Sequence, residues 1–483
     1  MKIINYKKMR ALSFIEIILT VFMLISCNED FLQLEPISSI SEGKYYQNED
    51  QINGALIATY SRFGGLAHEF VTLAGFRSDN FQFWQYSERA YAANDWSQWR
   101  SGLWEGLFNM VFRANQVINN LEDLDEQDFE TNKSQYEAEA RFLRGYAYFW
   151  LVRCYGQLPI VTGALSMDEA LDMPRSPISD VYTMIEEDLQ FAVSNLEGDS
   201  HKGIANKYVA EAILARVYIM QSGYPVNTDK YNEAIPLLED IIQNGGYELE
   251  DNYADIFTLE GENGPEVLWS AVCDDDQKGR QHSEDHMLDP NAGPNHHSYG
   301  EYQTGENDFD RSDLWLSFEE GDSRKEVSVA TTGFTSDWVE WTGLWCKKYL
   351  YGYVQGIGWT SDYIFVRYAN ILLLYAESLH KTGHSSIIED KWGIVNRIRN
   401  RADLSDVSAS DGDFMDILMT ERRHEFIWEG VRWFDLVRTN TFVEELKKVR
   451  HDNAADYWKF LPIPKVEMDK MAGQWENNEG YPW

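Results

Sequence analysis

The apolar positions of this chain fall mostly at helical spacing. Residues 136–161 read YEAEARFLRGYAYFWLVRCYGQLPIV, with Phe142, Tyr146, Phe149 and Trp150 in one apolar row and Leu143, Ala147, Leu151 and Cys154 in a second beside it. Glu139, Arg141, Arg144 and Arg153 are expected to keep part of this helix polar, and Gly156 and Pro159 to end it. Ala140, Gly145 and Ala147 are small enough for neighbouring helices to come close. Two apolar rows mean packing on more than one side, as in a stack of helix pairs.

The same spacing predicts helices from about residue 50 to 63, over 103–121, and over 179–196 with Ser179 or Asp180 as N-cap. It predicts a further pair over 206–222 and 230–244, the second disturbed by Pro236. Residues 363–382 read as one strongly apolar helix closed by Gly383, paired with 387–401, and 414–438 as a last helical block. Helices of this length, joined in pairs by short breaks, predict an all-α chain of tetratricopeptide-like units. The strict 34-residue repeat consensus is absent, so an irregular helical bundle is the alternative.

Two segments break the helical rhythm, 76–100 and 274–362. They hold Trp84, Trp96, Trp99, Trp315, Trp338, Trp341, Trp345 and Trp359, which are 8 of the 17 tryptophans. A tryptophan on a long loop needs either a local core or a ligand, and binding residues concentrate on such loops.

Charge narrows the ligand class. The net charge is -37 over 483 residues, which argues against nucleic acid and anionic membrane surfaces, since phosphate binding needs Lys and Arg. Neutral ligands such as sugars remain compatible. The basic start (Lys2, Lys7, Lys8, Arg10) and the apolar run 11–25, blemished by Glu16, have the form of a signal peptide. The run ends Leu24-Ile25-Ser26-Cys27, which resembles a bacterial lipobox, so residues 1–26 are expected to be removed and Cys27 lipidated. Cys154, Cys273 and Cys346 then remain, too few for a disulfide framework, although Cys273 and Cys346 pair if their loops meet.

At this point a family resemblance emerges, carried by motifs in order. They are the lipobox followed by CNEDFLQLEP; EARFLRGYAYFWLVRCYGQLPIV; YVAEAILARVYI; Asn244-Gly245-Gly246-Tyr247; VRYANILLLYAES; VNRIRNRA; ERRHEFIWEGVRWFDLVR; LPIP at 461–464; and Gly480-Tyr481. Together they resemble the SusD/RagB family of nutrient-binding outer-membrane lipoproteins. The resemblance implies about four tetratricopeptide-like helix pairs supporting an irregular ligand face. It implies an N-terminal SusD-like region over 27–261 and a C-terminal RagB/SusD region over 262–483, forming one compact unit. It also implies glycan binding at the cell exterior and a TonB-dependent, SusC-like outer-membrane transporter as partner. Glu29 and Asp30 look like the family's surface-export signal.

Sugars have apolar faces and polar rims, so aromatic rings stack on them while Asp, Asn, Arg and Tyr bond their hydroxyls. Trp84, Tyr86 and Trp96 from the first segment, and Tyr302, Trp338, Trp341 and Trp359 from the second, are the candidate platforms. Arg77, Asp79 and Asn80 are the candidate polar partners, although Arg77-Ser78-Asp79-Asn80 also reads as a structural loop. ERRHEFIWEGVRWFDLVR looks catalytic, but His424-Glu425 lacks the second His of HExxH, because position 428 is Trp. Its charges (Glu421, Arg422, Arg423, Glu425, Glu429, Arg432, Asp435, Arg438) are read as ion pairs. His282, His286, His296 and His297, with Asp285 and Asp289, are read as solvated loop residues rather than metal ligands. The runs Asp274-Asp275-Asp276 and Asn307 to Asp310 lack EF-hand spacing. No cofactor is expected. The competing functions are a protein-binding helical-repeat adaptor, a peptide- or glycopeptide-binding lipoprotein, and a glycoside hydrolase, for which no motif nominates a carboxylate pair.

Overall fold

The computed structural model describes residues 45–80, 102–130, 132–198, 203–272, 313–334, 340–349, 351, 353–354, 358–359, 361–449, 452–471 and 473–481. Helices dominate. In chain order they begin with α1 (Glu49–Gly64), α2 (Ala67–Phe76), α3 (Gly102–Leu121), α4 (Lys133–Tyr155), the short α5 (Met167–Asp172), α6 (Ile178–Asn195), α7 (Lys207–Ser222) and α8 (Tyr231–Asn244). After strand β1 (Val267–Ala271) come α9 (Asp313–Ser317) and α10 (Arg324–Ser328). The hairpins β2 (Val329–Phe334) with β3 (Glu340–Cys346) and β4 (Tyr353–Val354) with β5 (Gly358–Trp359) follow, then β6 (Tyr363–Arg367). The chain closes with α11 (Tyr368–Thr382), α12 (Lys391–Arg401), α13 (Phe414–Glu425), α14 (Arg432–Arg438), α15 (Phe442–Lys448) and α16 (Lys465–Lys470).

The long helices pack as a series. α1 and α4 flank α3, α4 packs on α6, α6 on α7, α7 on α8, α8 on α11 and α11 on α12. This is the stacked helix-pair architecture that the spacing predicts. α4 is its centre, and it is buried more completely than its charges suggest. Glu139, Arg144 and Arg153 are interior, and only Arg141 among the four reaches solvent appreciably. The polar face expected for this helix is therefore an internal one. Arg144 forks onto Asp188 of α6 with two bonds of 2.7 Å and donates to Asn115 Oδ1 of α3, also at 2.7 Å. Arg153 instead lies over the rings of Phe149, Phe434 and Trp150, 3.9–4.4 Å from their centroids. Gly145 is small for a reason: a Cβ there would sit 3.3 Å from Asp188 Cβ and from Leu189 Cγ.

Four expectations change. Residues 363–367 are a strand, not the first turns of a helix. Tyr-Ile-Phe-Val is aromatic and β-branched, and it pairs antiparallel with β1 from Val267↔Arg367 to Ala271↔Tyr363. Both strands are buried throughout, and a fully apolar run does not declare its period. The block 414–438 is two helices, parted where Trp428 and Gly430 take positive φ (64° and 68°). α6 starts after Pro177 with no side-chain cap, and the Ser179 hydroxyl donates to Asp180. α8 runs through Pro236.

Candidate functional site

The two tryptophan-rich segments leave the scaffold at defined roots. The first departs after α2 at Asn80 and returns at Gly102, where an added Cβ would lie 3.6 Å from Glu69 of α2. The second leaves β1 and returns through β6, paired strands with Ala271 opposite Tyr363. Ser270 Oγ donates to Asp362 Oδ2 at 2.9 Å and tightens that neck. The strand β6 and the helix α2 that carry these roots both approach Gly430. A Cβ at Gly430 would lie 3.2 Å from Tyr363 Oη of β6 and 3.6 Å from the Phe70 carbonyl oxygen of α2.

The first root and the β1–β6 pair that carries the second are held by the same block of charge. At the first, Arg432 grips Asp79 through Nε and Nη2 at 2.8 and 2.7 Å, while Arg423 Nε donates to Asn80 Oδ1 at 2.7 Å. Arg77 lies over the Trp433 ring, 4.2 Å from its centroid, and donates to the Trp458 carbonyl. Burial alone raises the Asp79 pKa, but Arg423 and Arg432 outweigh it and hold the carboxyl well below the usual carboxylate range. At the end of the β1–β6 pair away from that neck, Arg367 reaches Glu266 at 2.7 Å, Glu425 at 2.5 Å and Glu429 at 2.8 Å. Lys348, just after β3, meets Glu429 at 2.7 Å. Arg324 of α10 pairs with Asp322, Glu421 and Glu425, and Arg401 of α12 with Glu266 and Glu425. Three arginines (Arg401, Arg367 and Arg324) outweigh the burial of Glu425 and hold its carboxyl well below the usual range.

ERRHEFIWEGVRWFDLVR is thus a structural hub. His424 is stacked on Phe318 at 4.2 Å between ring centroids and bonded to Ser317 Oγ at 2.8 Å. Burial, then Arg324 and Arg423, push its pKa well below that of an ordinary histidine, so it is neutral and packed rather than poised for proton transfer. No group of three or more potential metal ligands occurs among the described residues.

The candidate ligand residues divide sharply. Arg77, Asp79 and Asn80 are buried, and the contacts of Asp79 and Asn80 run to protein arginines. The geometry supports the structural reading of this loop. Trp84, Tyr86, Trp96, Tyr302 and Trp338 lie outside the described residues, as do Cys27, Cys273 and the loop histidines. Trp341 lies on β3 opposite Gly333, beside the tip of its hairpin, and Trp359 on β5 opposite Tyr353. Trp315 packs on its own chain, with the Lys325 ammonium 3.8 Å from its ring centroid. Sequence reasoning missed Arg324, Lys348 and Arg367. The available signal was a lone cation set in an apolar run, as in Ile-Phe-Val-Arg.

Two further features bear on function. A cleft of about 640 Å³ opens between α11, α13 and α14, with Lys381, Asp416, Arg423 and Glu445 on its walls. Among the described residues Tyr231 is the one aromatic lining it, a poor platform for a sugar face. Glu211 and Asp240 are the described carboxyls whose pKa values separate as an acid–base pair requires. Burial raises Glu211 to about 8, while bonds from Lys207 and Asn244 lower Asp240. They are hydrogen-bonded to each other and bridged by Lys207 at 3.4 and 2.6 Å. A glycosidase pair needs a separation of roughly 5–10 Å, so this hydrogen-bonded pair is a clasp between α7 and α8.

Comparison with known proteins gives the fold a lineage. Residues 190–481 match the profile described as the SusD family, and residues 30–219 match one described as starch-binding associating with outer membrane. A SusD-like protein of Bacteroides ovatus is 26% identical over 465 residues, covering 86% of this chain and 80% of that protein. Surface glycan-binding protein A from Bacteroides fluxus superposes with a TM-score of 0.74 at 22% identity, over 90% of this chain and 100% of that one. A structure described as a laminarin binding SusD-like protein gives 0.73 at 22%, over 90% and 100%.

Proposed function

Because the chain belongs to the SusD family, we propose that it is a surface glycan-binding lipoprotein that captures oligo- or polysaccharide and delivers it to a TonB-dependent outer-membrane transporter. The observation that carries the reading is that the elements from which the two tryptophan-rich segments depart, the end of α2 and the β1–β6 pair, are bolted to one buried charge block. That arrangement fixes the scaffold elements from which the two segments depart. Glycan-binding relatives of the same fold support it. The ligand contacts in this reading are Trp84, Tyr86, Trp96, Tyr302, Trp338, Trp341 and Trp359. Arg77, Asp79 and Asn80 act behind them by holding the first root. Residues 1–26 are the signal peptide and lipid on Cys27 is the anchor, consistent with the outer-membrane description of the N-terminal match.

Each stacked ring contributes roughly 0.5–1.5 kcal/mol beyond its buried area. Short oligosaccharides are therefore held weakly, and long polymers gain through multiple contacts. The protein binds and does not cleave. Affinity electrophoresis and calorimetry against a polysaccharide panel test this. Binding without release of reducing ends is the expected result. Released oligosaccharide would instead make the protein a hydrolase, and silence on every glycan alongside capture of peptides would make it a peptide binder.

A further inference from the structure

Where α4 meets the hub, a cavity of about 30 Å³ lies among Arg153, Arg216, Arg422, Arg438, Asp435 and Phe434. Four cations and one carboxylate line it. Asp435 is fully engaged, accepting from Arg422 at 2.8 and 3.2 Å and from Arg438 at 2.9 Å. Arg438 is also balanced by Glu377 at 2.8 Å. Arg422 and Arg438 are thus neutralised by Asp435 and Glu377.

Arg153 and Arg216 are not. Arg153 Nε donates to the Phe149 carbonyl at 3.0 Å, and Arg216 Nη1 to the Phe365 carbonyl at 3.2 Å. Neither meets a carboxylate among the described residues. Arg153 is 6% exposed and Arg422 3%, yet Arg153 Nη2 and Arg422 Nη1 each lack a hydrogen-bond partner among the described residues. Burial, and then the charge of Arg216, lower the Arg153 pKa to about 10, so it remains a cation at neutral pH. A buried guanidinium without a counter-charge is costly, and a buried N–H without an acceptor adds to that cost. The aromatic faces around Arg153 offset part of the charge but accept no in-plane N–H bond.

We propose that this cavity is a binding site for a small monovalent anion of halide size, held between Arg153, Arg216 and Arg422. The volume suits one or two water-sized bodies, which excludes a sugar, a phosphate ester or a peptide carboxylate with its chain. Arg216 is half-buried, which gives the ion a route to solvent. The bound anion bridges α4, α7 and α13, so it straps the centre of the helical stack to the hub.

The test uses the purified protein in sodium bromide and in sodium gluconate at equal ionic strength. Crystals in bromide are expected to show an anomalous peak in the cavity. The melting temperature is expected to be higher in bromide than in gluconate, and that difference to vanish in Arg216→Gln. This variant keeps the buried arginines, so it is expected to fold, and it should weaken bromide binding by about tenfold or more. Arg153→Met should abolish the peak. Absence of an anomalous peak in the wild type, or an equal bromide effect in the wild type and Arg216→Gln, overturns the proposal and leaves the cavity to water.

Discussion

At the scale of single residues, α4 shows how charges enter an apolar interior. Glu139 is buried beside Tyr60, and burial raises its pKa from 4.5 to about 7, against the smaller lowering effect of the Tyr60 bond. The folded state therefore keeps its proton longer than the unfolded chain. Stability falls as pH rises from about 4.5 to about 7, and stays lowered above that window. Glu139→Gln should accordingly raise the melting temperature at pH 8, by up to about 3 kcal/mol of stability, and change little at pH 4. Thermal melts at the two pH values check this, and an equal effect at both contradicts it. Phe149, fully buried beneath Arg153, belongs to the scaffold. Phe149→Ala should cost about 3–5 kcal/mol in denaturant unfolding, with glycan affinity unchanged in the folded fraction. The apolar identity of these α4 positions was legible in the sequence. The burial of Glu139, Arg144 and Arg153 was not, because their partners Tyr60 and Asp188, and the Phe434 ring, lie 44 to 281 positions away.

At the scale of elements, the roots of the two segments depend on ion pairs that close only after folding. Asp79 and Glu425 titrate well below ordinary carboxylates. A depressed folded pKa contributes stability that is fully present above the unfolded value, about 4, and is lost as pH falls through the folded value. Acid unfolding should therefore begin below about pH 4. Asp79→Asn removes the carboxylate that both Arg432 and Arg423 pair with, in a largely buried site, so it should cost about 3 kcal/mol or more at pH 7. The deficit should shrink as pH drops below the ordinary carboxylate range. A deficit that stays constant down to pH 2 would mean that Asp79 acts by packing alone. Periodicity located the long helices because each buries a stripe at 3.6-residue spacing. It failed at residues 363–367, where burial on both faces hides the period and the partner strand lies about a hundred residues earlier. At Asp79 the sequence leaves a ligand-facing and a structural reading open, and the side chain is a bolt between the end of α2 and α14.

At the scale of the whole molecule, the helical stack and the hub form a rigid support, and the tryptophans outside that support are where recognition is proposed to occur. Motif order made the family legible in the sequence, since each motif is a packing element of the stack. The ligand contacts were less legible, because a loop aromatic that stacks on sugar and one that packs locally, as Trp315 does beneath Lys325, are written with the same residues. The most direct test is calorimetric titration with the polysaccharide that the wild type binds, comparing Trp338→Ala, Trp341→Ala and Phe149→Ala. Each tryptophan variant is expected to keep its melting temperature and lose affinity about two- to tenfold, while folded Phe149→Ala binds as the wild type does. Full affinity in both tryptophan variants, with affinity lost in folded Phe149→Ala, would contradict it.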